Sequence, residues 1–154
     1  MELKELIDAF TSSTGIDSAH SVDGVWRFSA DEHVFGLMED SSGESLLIFG
    51  EIPAPQPGSE NAFRKAVLEA NFFLRGTGGA TFSINPESGA YTVFRSERLD
   101  RLTPESFFSL VEKFVNTLAT WKWISVESQA ESVVKEPEET PPASLDPTLG
   151  FMSV

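Results

Sequence analysis

The segment from Val67 to Leu102 constrains the fold more than any other part of the chain, because several element boundaries follow one another within it. Apolar residues recur at helical spacing as far as Leu74, and the glycines at positions 76–79 predict that the helix stops there. Polar and apolar side chains then alternate, which predicts a strand with Phe82 and Ile84 on one face. The segment therefore predicts a helix, a glycine stop and a strand in succession.

A hairpin and a long helix are predicted after this strand. The sequence Asn85–Gly89 contains a proline, which fixes φ, and ends in a glycine that can supply the positive φ of a tight turn. Residues 90–98 then return as the second strand of the hairpin. Thr103 is a suitable N-cap and Pro104 is favoured at the first helical position, so a helix is predicted from there to about Ile124.

The residues before this segment predict two further helices and three strands. The first helix covers about twelve residues and has an apolar stripe at three- and four-residue spacing. Strands are predicted at about residues 25–30, 34–39 and 46–52, and a helix at residues 60–74 with Ser59 as its N-cap. The complete prediction is an α+β fold with an antiparallel, twisted sheet and the element order α-β-β-β-α-β-β-α.

Composition limits the domain organisation and the classes of partner. The 154 residues predict one domain at residues 1–125 and an acidic, proline-rich tail at residues 126–154 that is too polar to form a core and should be disordered. The formal charge of −13 disfavours binding to nucleic acid and to anionic membranes. Because the chain has no cysteine and no apolar run long enough to span a membrane, we expect no disulfide, no membrane insertion and a reducing cytoplasm.

No arrangement of residues predicts catalysis or a bound cofactor. His20 and His33 have no carboxylate neighbours at the spacing of a metal site or a catalytic triad. The glycines at positions 76–79 follow a helix and precede a strand, which is the reverse of the order in phosphate-binding loops. We therefore expect a non-enzymatic protein without a metal or cofactor.

Several of these features together resemble a known family. They are Leu68-Glu-Ala-Asn71 on a helix, a glycine step, a hairpin with Pro86 and Gly89, and a last helix that contains Trp121. In this order they resemble the class I type III secretion chaperones, the Tir chaperone or CesT family, over roughly residues 1–124. The resemblance implies a cytoplasmic bacterial homodimer that binds the N-terminal region of a secreted effector in extended form and delivers it to the secretion apparatus. It also implies the secretion-system ATPase as a further partner.

The first three strands carry apolar residues on both faces, whereas a sheet with one solvated face should alternate. Exposed apolar surface of this kind marks a protein contact. An extended effector segment could pair with a sheet edge while its side chains enter surface pockets. The predicted effector-binding residues, on the first helix and the less regular sheet face, are Leu6, Phe10, Val25, Val34, Met38, Leu46 and Ile48. The sequence does not decide which face of residues 46–49 points outward.

The helix at residues 60–74 is apolar on most sides, and a helix of that kind is buried on most sides. In a small domain, a second copy of the chain is the expected cover, although burial between the sheet and another helix of the same chain is the alternative. The predicted dimer-interface residues are Phe63, Val67, Leu68, Phe72 and Phe73.

Two other functions fit the sequence. One is a stand-alone adaptor of related fold that binds a folded cytosolic protein or regulator, and the other is an enzyme subunit whose active site lies in a partner chain. Co-purification with a folded enzyme would favour these alternatives, whereas a neighbouring effector gene would favour the chaperone.

Overall fold

The computed structural model of the protein describes residues 1–16 and 21–131, with the backbone alone for residues 127–131. His20 and residues 132–154 of the predicted tail lie outside the described residues. Within the described chain, three α-helices accompany one five-stranded antiparallel sheet. The predicted fold class and element order are therefore confirmed.

The sheet has the strand order β1-β2-β3-β5-β4, so β1 and β4 form its two edges. All neighbouring strands run antiparallel. Short 3₁₀ turns follow α2 at Phe72–Leu74 and β5 at Leu99–Arg101. The elements in chain order are α1 (Leu3–Thr14), β1 (Trp26–Ala30), β2 (His33–Glu39), β3 (Ser45–Ile52), α2 (Glu60–Asn71), β4 (Thr81–Ile84), β5 (Tyr91–Arg98) and α3 (Pro104–Glu131).

One face of the sheet and the apolar faces of the helices form the core. The ring of Phe10 on α1 meets Phe28 of β1 edge to face, with centroids 6.0 Å apart, and meets Phe107 of α3 at 5.9 Å. On the opposite side of the core, Phe82 of β4 packs edge-on against Trp121 of α3 at 4.7 Å. The buried apolar residues of α3 recur at helical spacing, so one face of this helix closes the core: Phe107, Leu110, Val111, Phe114, Leu118 and Trp121.

The end of α2 differs from the prediction. The helix ends at Asn71, and Phe73 and Leu74 then adopt left-handed backbone conformations with φ of 51° and 56°. Gly76 is needed for another reason: a Cβ atom there would lie 2.9 Å from the Cβ of Ala70. The glycines therefore do not stop the helix, because it has already ended when the chain reaches them.

Three predictions concern the helix termini: one cap is confirmed, and the other cap and the end of the last helix are wrong. The Thr103 hydroxyl accepts a hydrogen bond from the Ser106 N–H at 3.2 Å, which confirms the predicted cap of α3. Ser59 occupies the N-cap position of α2, but its hydroxyl donates to the Gln56 carbonyl and does not cap the helix. The predicted end of α3 near Ile124 is wrong: the helix continues to Glu131, since residues 125–131 contain neither proline nor glycine.

Candidate functional site

The second face of the sheet carries a row of partly exposed apolar side chains. The rings of Phe10, Phe63 and Trp121 on the three helices contact the opposite face. In register, Met38 lies opposite Leu47, and Phe49 lies between Gly36 on β2 and Phe94 on β5. The residues of this outer-face stripe are Val34, Met38, Leu47, Phe49 and Phe94.

Gly36 shapes the centre of the outer-face stripe. A Cβ atom at this position would collide with the ring of Phe49, so the ring lies directly on the backbone of β2. The absence of a side chain on β2 thus lets one aromatic ring cover two strands. The result is a shallow apolar surface that a side chain from a partner can contact.

A cleft opens at one end of this surface. The pairing of β2 with β3 stops at Gly36 and Phe49, and a cavity of about 390 Å³ lies beyond. Val34 lines it together with the charged side chains of Arg27, Glu51 and Lys122. A partner bound on the outer face would therefore meet polar groups at this end and apolar groups along the strands.

The predicted effector-binding residues fall into two groups. Val34 is 52 % exposed, Met38 is half-buried on the same face, and Val25 directly precedes β1 and is also partly exposed. The surface position expected for the other four is wrong, because the structure buries them in the core of the chain: Leu6, Phe10, Leu46 and Ile48. Strand β3 points Leu46 and Ile48 toward the helices, so its outward side chains are Leu47 and Phe49.

Phe10 nevertheless has one edge at a second groove. A cavity of about 390 Å³ lies between α1 and the start of α3, where the Phe10 ring meets the exposed Phe108 at 5.5 Å. Ala9 and Pro104 complete its apolar lining. This groove lies on the helical side of the molecule, separate from the outer face.

The predicted dimer-interface residues also fall into a buried group and an exposed group. Phe63 and Val67 are buried within the chain, with the Phe63 ring 4.9 Å from Tyr91, so their expected exposure to a second copy is wrong. Leu68, Phe72 and Phe73 are 69 %, 59 % and 76 % exposed.

Two further apolar residues extend this exposed group. Leu74 follows Phe73, and Ile84 lines a cavity of about 300 Å³ together with Leu68 and the edge of β4. We call these exposed residues the α2 patch: Leu68, Phe72, Phe73, Leu74 and Ile84. The backbone strain at Phe73 and Leu74 places two apolar side chains in solvent.

Comparison with known families decides what kind of protein carries these surfaces. The model of the Tir chaperone protein (CesT) family matches residues 5–122, which is most of the chain. The protein belongs to the CesT family. The type III secretion chaperone resemblance seen in the sequence is thereby confirmed.

Solved structures with the same fold agree with the CesT assignment. The complex of HopA1 and SchA, a chaperone–effector complex, contains a chain with 19 % identity and a TM-score of 0.65, and the match covers 77 % of this chain and 91 % of that one. A chain of the ExsC–ExsE complex matches with 18 % identity and a TM-score of 0.64, and the match covers 79 % of this chain and 95 % of that one. A chain of the ExoT–SpcS complex from Pseudomonas aeruginosa matches with 17 % identity and a TM-score of 0.57, and the match covers 75 % of this chain and 93 % of that one. No curated protein matches the sequence.

Two acidic side chains at the sheet margin of this CesT-family chain have a lowered pKa. Arg98 donates to Asp100 at 2.9 Å and to Glu44 at 3.4 Å, and the Arg98 guanidinium lowers the pKa of the Asp100 carboxyl. The Ser42 hydroxyl and nearby backbone N–H groups likewise lower the pKa of Asp40 in the turn before β3. These pairs join turns and strand ends.

Residues 1–16 and 21–131 contain no group of three or more His, Asp or Glu side chains that could hold a metal ion. None of the helices in these ranges has the length and apolar character needed to cross a membrane.

The outer-face residues that the sequence analysis missed are Leu47, Phe49 and Phe94. For Leu47 and Phe49 the signal was present but ambiguous, since residues 46–49 are apolar on both faces of the strand. For Phe94 the signal was its alternation with the core residue Val93.

Proposed function

We propose that this protein is a type III secretion chaperone that binds an extended N-terminal segment of an effector on the outer face of its sheet. The observation that carries the proposal is the outer-face stripe, a row of apolar side chains that stay at least partly exposed. Family membership supports the same function, and one solved relative of this fold is a chaperone in complex with its effector.

The physical demands of holding an extended segment match this surface. Alternate side chains of an extended segment point to one side, so every second residue can contact the apolar row across β2, β3 and β5. Ordering the segment costs conformational entropy, and burial of apolar area must offset that cost. The flat centre at Gly36 and Phe49 can contribute such area without a deep pocket.

We further propose that two copies associate through the α2 patch. Left-handed backbone conformations at bulky residues cost about 1–3 kcal/mol each, and such strain persists only where the surrounding structure compensates for it. Within the chain, the Phe72 and Phe73 rings contact each other at 4.3 Å and remain exposed. A second copy that buries the α2 patch would supply the compensation, with an interface on the order of 1,200–2,000 Å².

In this function the protein performs no chemistry of its own. It keeps the effector segment unfolded and soluble in the cytoplasm and transfers it to the secretion apparatus, whose ATPase is the proposed recipient. A passive role of this kind requires reversible binding, and apolar contacts over a shallow face can be released segment by segment.

Isolation of the natural client tests the proposal. The tagged protein is purified from bacteria in which type III secretion is induced, the bound protein is identified, and limited proteolysis of the complex maps the protected fragment. We expect a fragment from the N-terminal region of the client that resists proteolysis only in the complex. Protection of a folded domain of the partner instead would contradict the proposal and would favour the adaptor function.

A further inference from the structure

The cleft at the end of the outer face lies in a gap between two strands of the sheet. Strands β2 and β3 pair as far as Gly36 and Phe49, and their register stops there. Strand β3 nevertheless continues to Ile52 beside β5, and β2 begins at His33 beside β1. The two strands therefore diverge over their remaining residues, and the cavity of about 390 Å³ occupies the space between them.

The gap brings side chains from both layers of the fold into one cavity. Arg27 and Val34 line it from the two strands on one side, whereas Lys122 belongs to α3, which packs on the helical side of the sheet. Gly50 keeps this helix close, because a Cβ atom there would lie 2.9 Å from the Leu118 side chain. The half-buried Lys122 therefore reaches the cavity from behind the sheet.

Backbone groups of Val34 and Glu51 also open into the gap. The Asp40 N–H donates to the Ser45 carbonyl at 2.8 Å, so these two residues form a hydrogen-bonded pair at the other end of the ladder. Such pairs recur at every second residue of an antiparallel ladder, and the first one beyond the end of the register would be Val34 with Glu51. Their N–H and C=O groups therefore point into the cleft.

The two cations of the cleft have no ionic partner in the part of the chain that the structure describes. Within residues 1–16 and 21–131, neither Arg27 nor Lys122 forms an ion pair, although Glu51 lines the same cavity. The chain as a whole has a formal charge of −13. Two unpaired cations and two backbone N–H groups make this cleft a place where a single negative group can bind.

We propose that the cleft binds the carboxylate of an aspartate or glutamate of the client segment. This inference rests on the proposed function, because it names the side chain that the client places beside the outer-face stripe. Arg27 and Lys122 approach the carboxylate from the two layers, and the N–H groups of Val34 and Glu51 can donate to its oxygens. The client pattern that this surface selects is a row of apolar residues with one acidic residue at its end.

A small probe tests the cleft without any client. N-acetyl-glutamate-N-methylamide is titrated into the full-length protein, and the backbone amide signals are followed by NMR, with the glutamine analogue as the uncharged control. A ligand of this size binds with a Kd on the order of 1–10 mM. We expect saturable shifts of the Val34 and Glu51 amides that are at least about fivefold larger with the glutamate compound. Equal shifts with the two compounds, or no shift in the cleft, would overturn the carboxylate site.

Three variants identify the charges that hold the probe. Lys122→Gln removes a cation of the cleft, Lys113→Gln removes the same charge from an exposed position of the same helix, and Glu51→Gln removes the opposing charge. We expect the Kd of the glutamate compound to rise about fivefold in Lys122→Gln, to stay within about twofold in Lys113→Gln and to fall in Glu51→Gln.

Changes of the opposite sign in Lys122→Gln and Glu51→Gln would mean that the cleft selects a basic group, which overturns the proposal. Arg27→Gln is a second variant of the cleft with the same expectation as Lys122→Gln. The test therefore holds even if Lys122→Gln does not fold.

The client fragment from the isolation experiment tests the assignment to the client. Each aspartate and glutamate of that fragment is replaced by its amide in turn, and the Kd is measured for the wild type and for Lys122→Gln. We expect one replacement to weaken binding to the wild type about fivefold and to have no effect on binding to Lys122→Gln. If no replacement depends on Lys122, the client does not place a carboxylate in the cleft and the inference fails. If no client is isolated, the proposed function fails, whereas the NMR titration still decides whether the cleft binds a carboxylate.

Discussion

Gly36 is the residue on which the shape of the outer face depends. The ring of Phe49 occupies the space where a side chain at position 36 would lie, so glycine at this position has a steric role and does not serve a turn. Close packing leaves little room for an added methyl group, and the neighbouring ring must move to admit one. The effect of one methyl group here should therefore be local and measurable.

Gly36→Ala should displace the Phe49 ring and lower the free energy of unfolding by about 1–3 kcal/mol, the usual cost of overpacking. Urea denaturation measures this change. In the double variant Gly36→Ala/Phe49→Ala the collision is absent, so the two effects should be non-additive and the loss smaller than their sum. Additive losses would show that the ring does not lie on Gly36.

Asp100 should make stability dependent on pH. Its pKa in the folded chain is held below the ordinary value of 3.8 by Arg98. The pair therefore contributes stability above that value, and the contribution is lost as the pH falls below it through the folded-state pKa. Thermal melts from pH 2 to pH 7 should give the wild type a higher Tm than Asp100→Asn at neutral pH. The two Tm values should converge as the solution becomes acidic.

The matched control for this prediction is Asp8→Asn, at an exposed aspartate on α1. Across the pH range, the Tm of Asp8→Asn should differ less from the wild-type Tm than the Tm of Asp100→Asn does. Parallel profiles for wild type and Asp100→Asn down to pH 2 would contradict the stabilising role of the pair.

The order of the helices and strands and most of their boundaries follow from the sequence, because alternation, caps and the hairpin turn are local signals. The end of α2 differs from the prediction because the Asn71 side chain bonds the Phe82 backbone beyond the loop at residues 72–80, a tertiary contact that local propensity does not contain. The outward face of β3 was undecided for a related reason. Leu46–Phe49 is apolar throughout, and only packing against α3 selects the buried pair.

The α2 patch carries the prediction about association. Phe73→Asn removes the exposed ring but retains a residue that tolerates the left-handed backbone, so the fold should persist while dimerisation weakens. Light scattering at micromolar concentration should give a dimer mass for the wild type and a monomer mass for the variant. Trp123→Asn is the control, since Trp123 is similarly exposed on α3, outside the patch. A monomeric wild type would contradict the account of the patch.

At the scale of the whole molecule, the described residues already hold a complete core between one sheet face and three helices. The segment after Glu131 contributes one lysine and four acidic residues, with prolines at 137, 141, 142 and 147. From this composition we predict that the chain folds without it. The acidic charge of the whole chain also favours partners with basic segments.

Removal of residues 132–154 should therefore change Tm by no more than about 2 °C, a small fraction of what a lost core contact would cause. Scanning calorimetry of the full-length and truncated proteins measures the difference. A truncated protein that no longer unfolds cooperatively would show that this segment is part of the folded domain.

The outer face is also expected to tolerate charge without loss of the fold. Val34→Asp and Met38→Glu should melt close to the wild type, because these positions already contact water. Phe82→Asp should unfold the domain, since an unpaired charge in the core costs several kcal/mol of a total stability of about 5–15 kcal/mol. If Val34→Asp lowers the Tm as much as Phe82→Asp does, the outer face belongs to the core.

The most direct test of the central claim compares two valine-to-aspartate substitutions in a titration calorimeter, with the isolated client fragment as the titrant. Val34, 52 % exposed, lies on the outer face, and Val126, 57 % exposed, lies near the end of α3, so the two changes differ in place and not in chemistry. We expect Val34→Asp to weaken binding of the client fragment by at least about tenfold, whereas Val126→Asp should bind it like the wild type. Equal affinity of the two variants for the client fragment would contradict this claim.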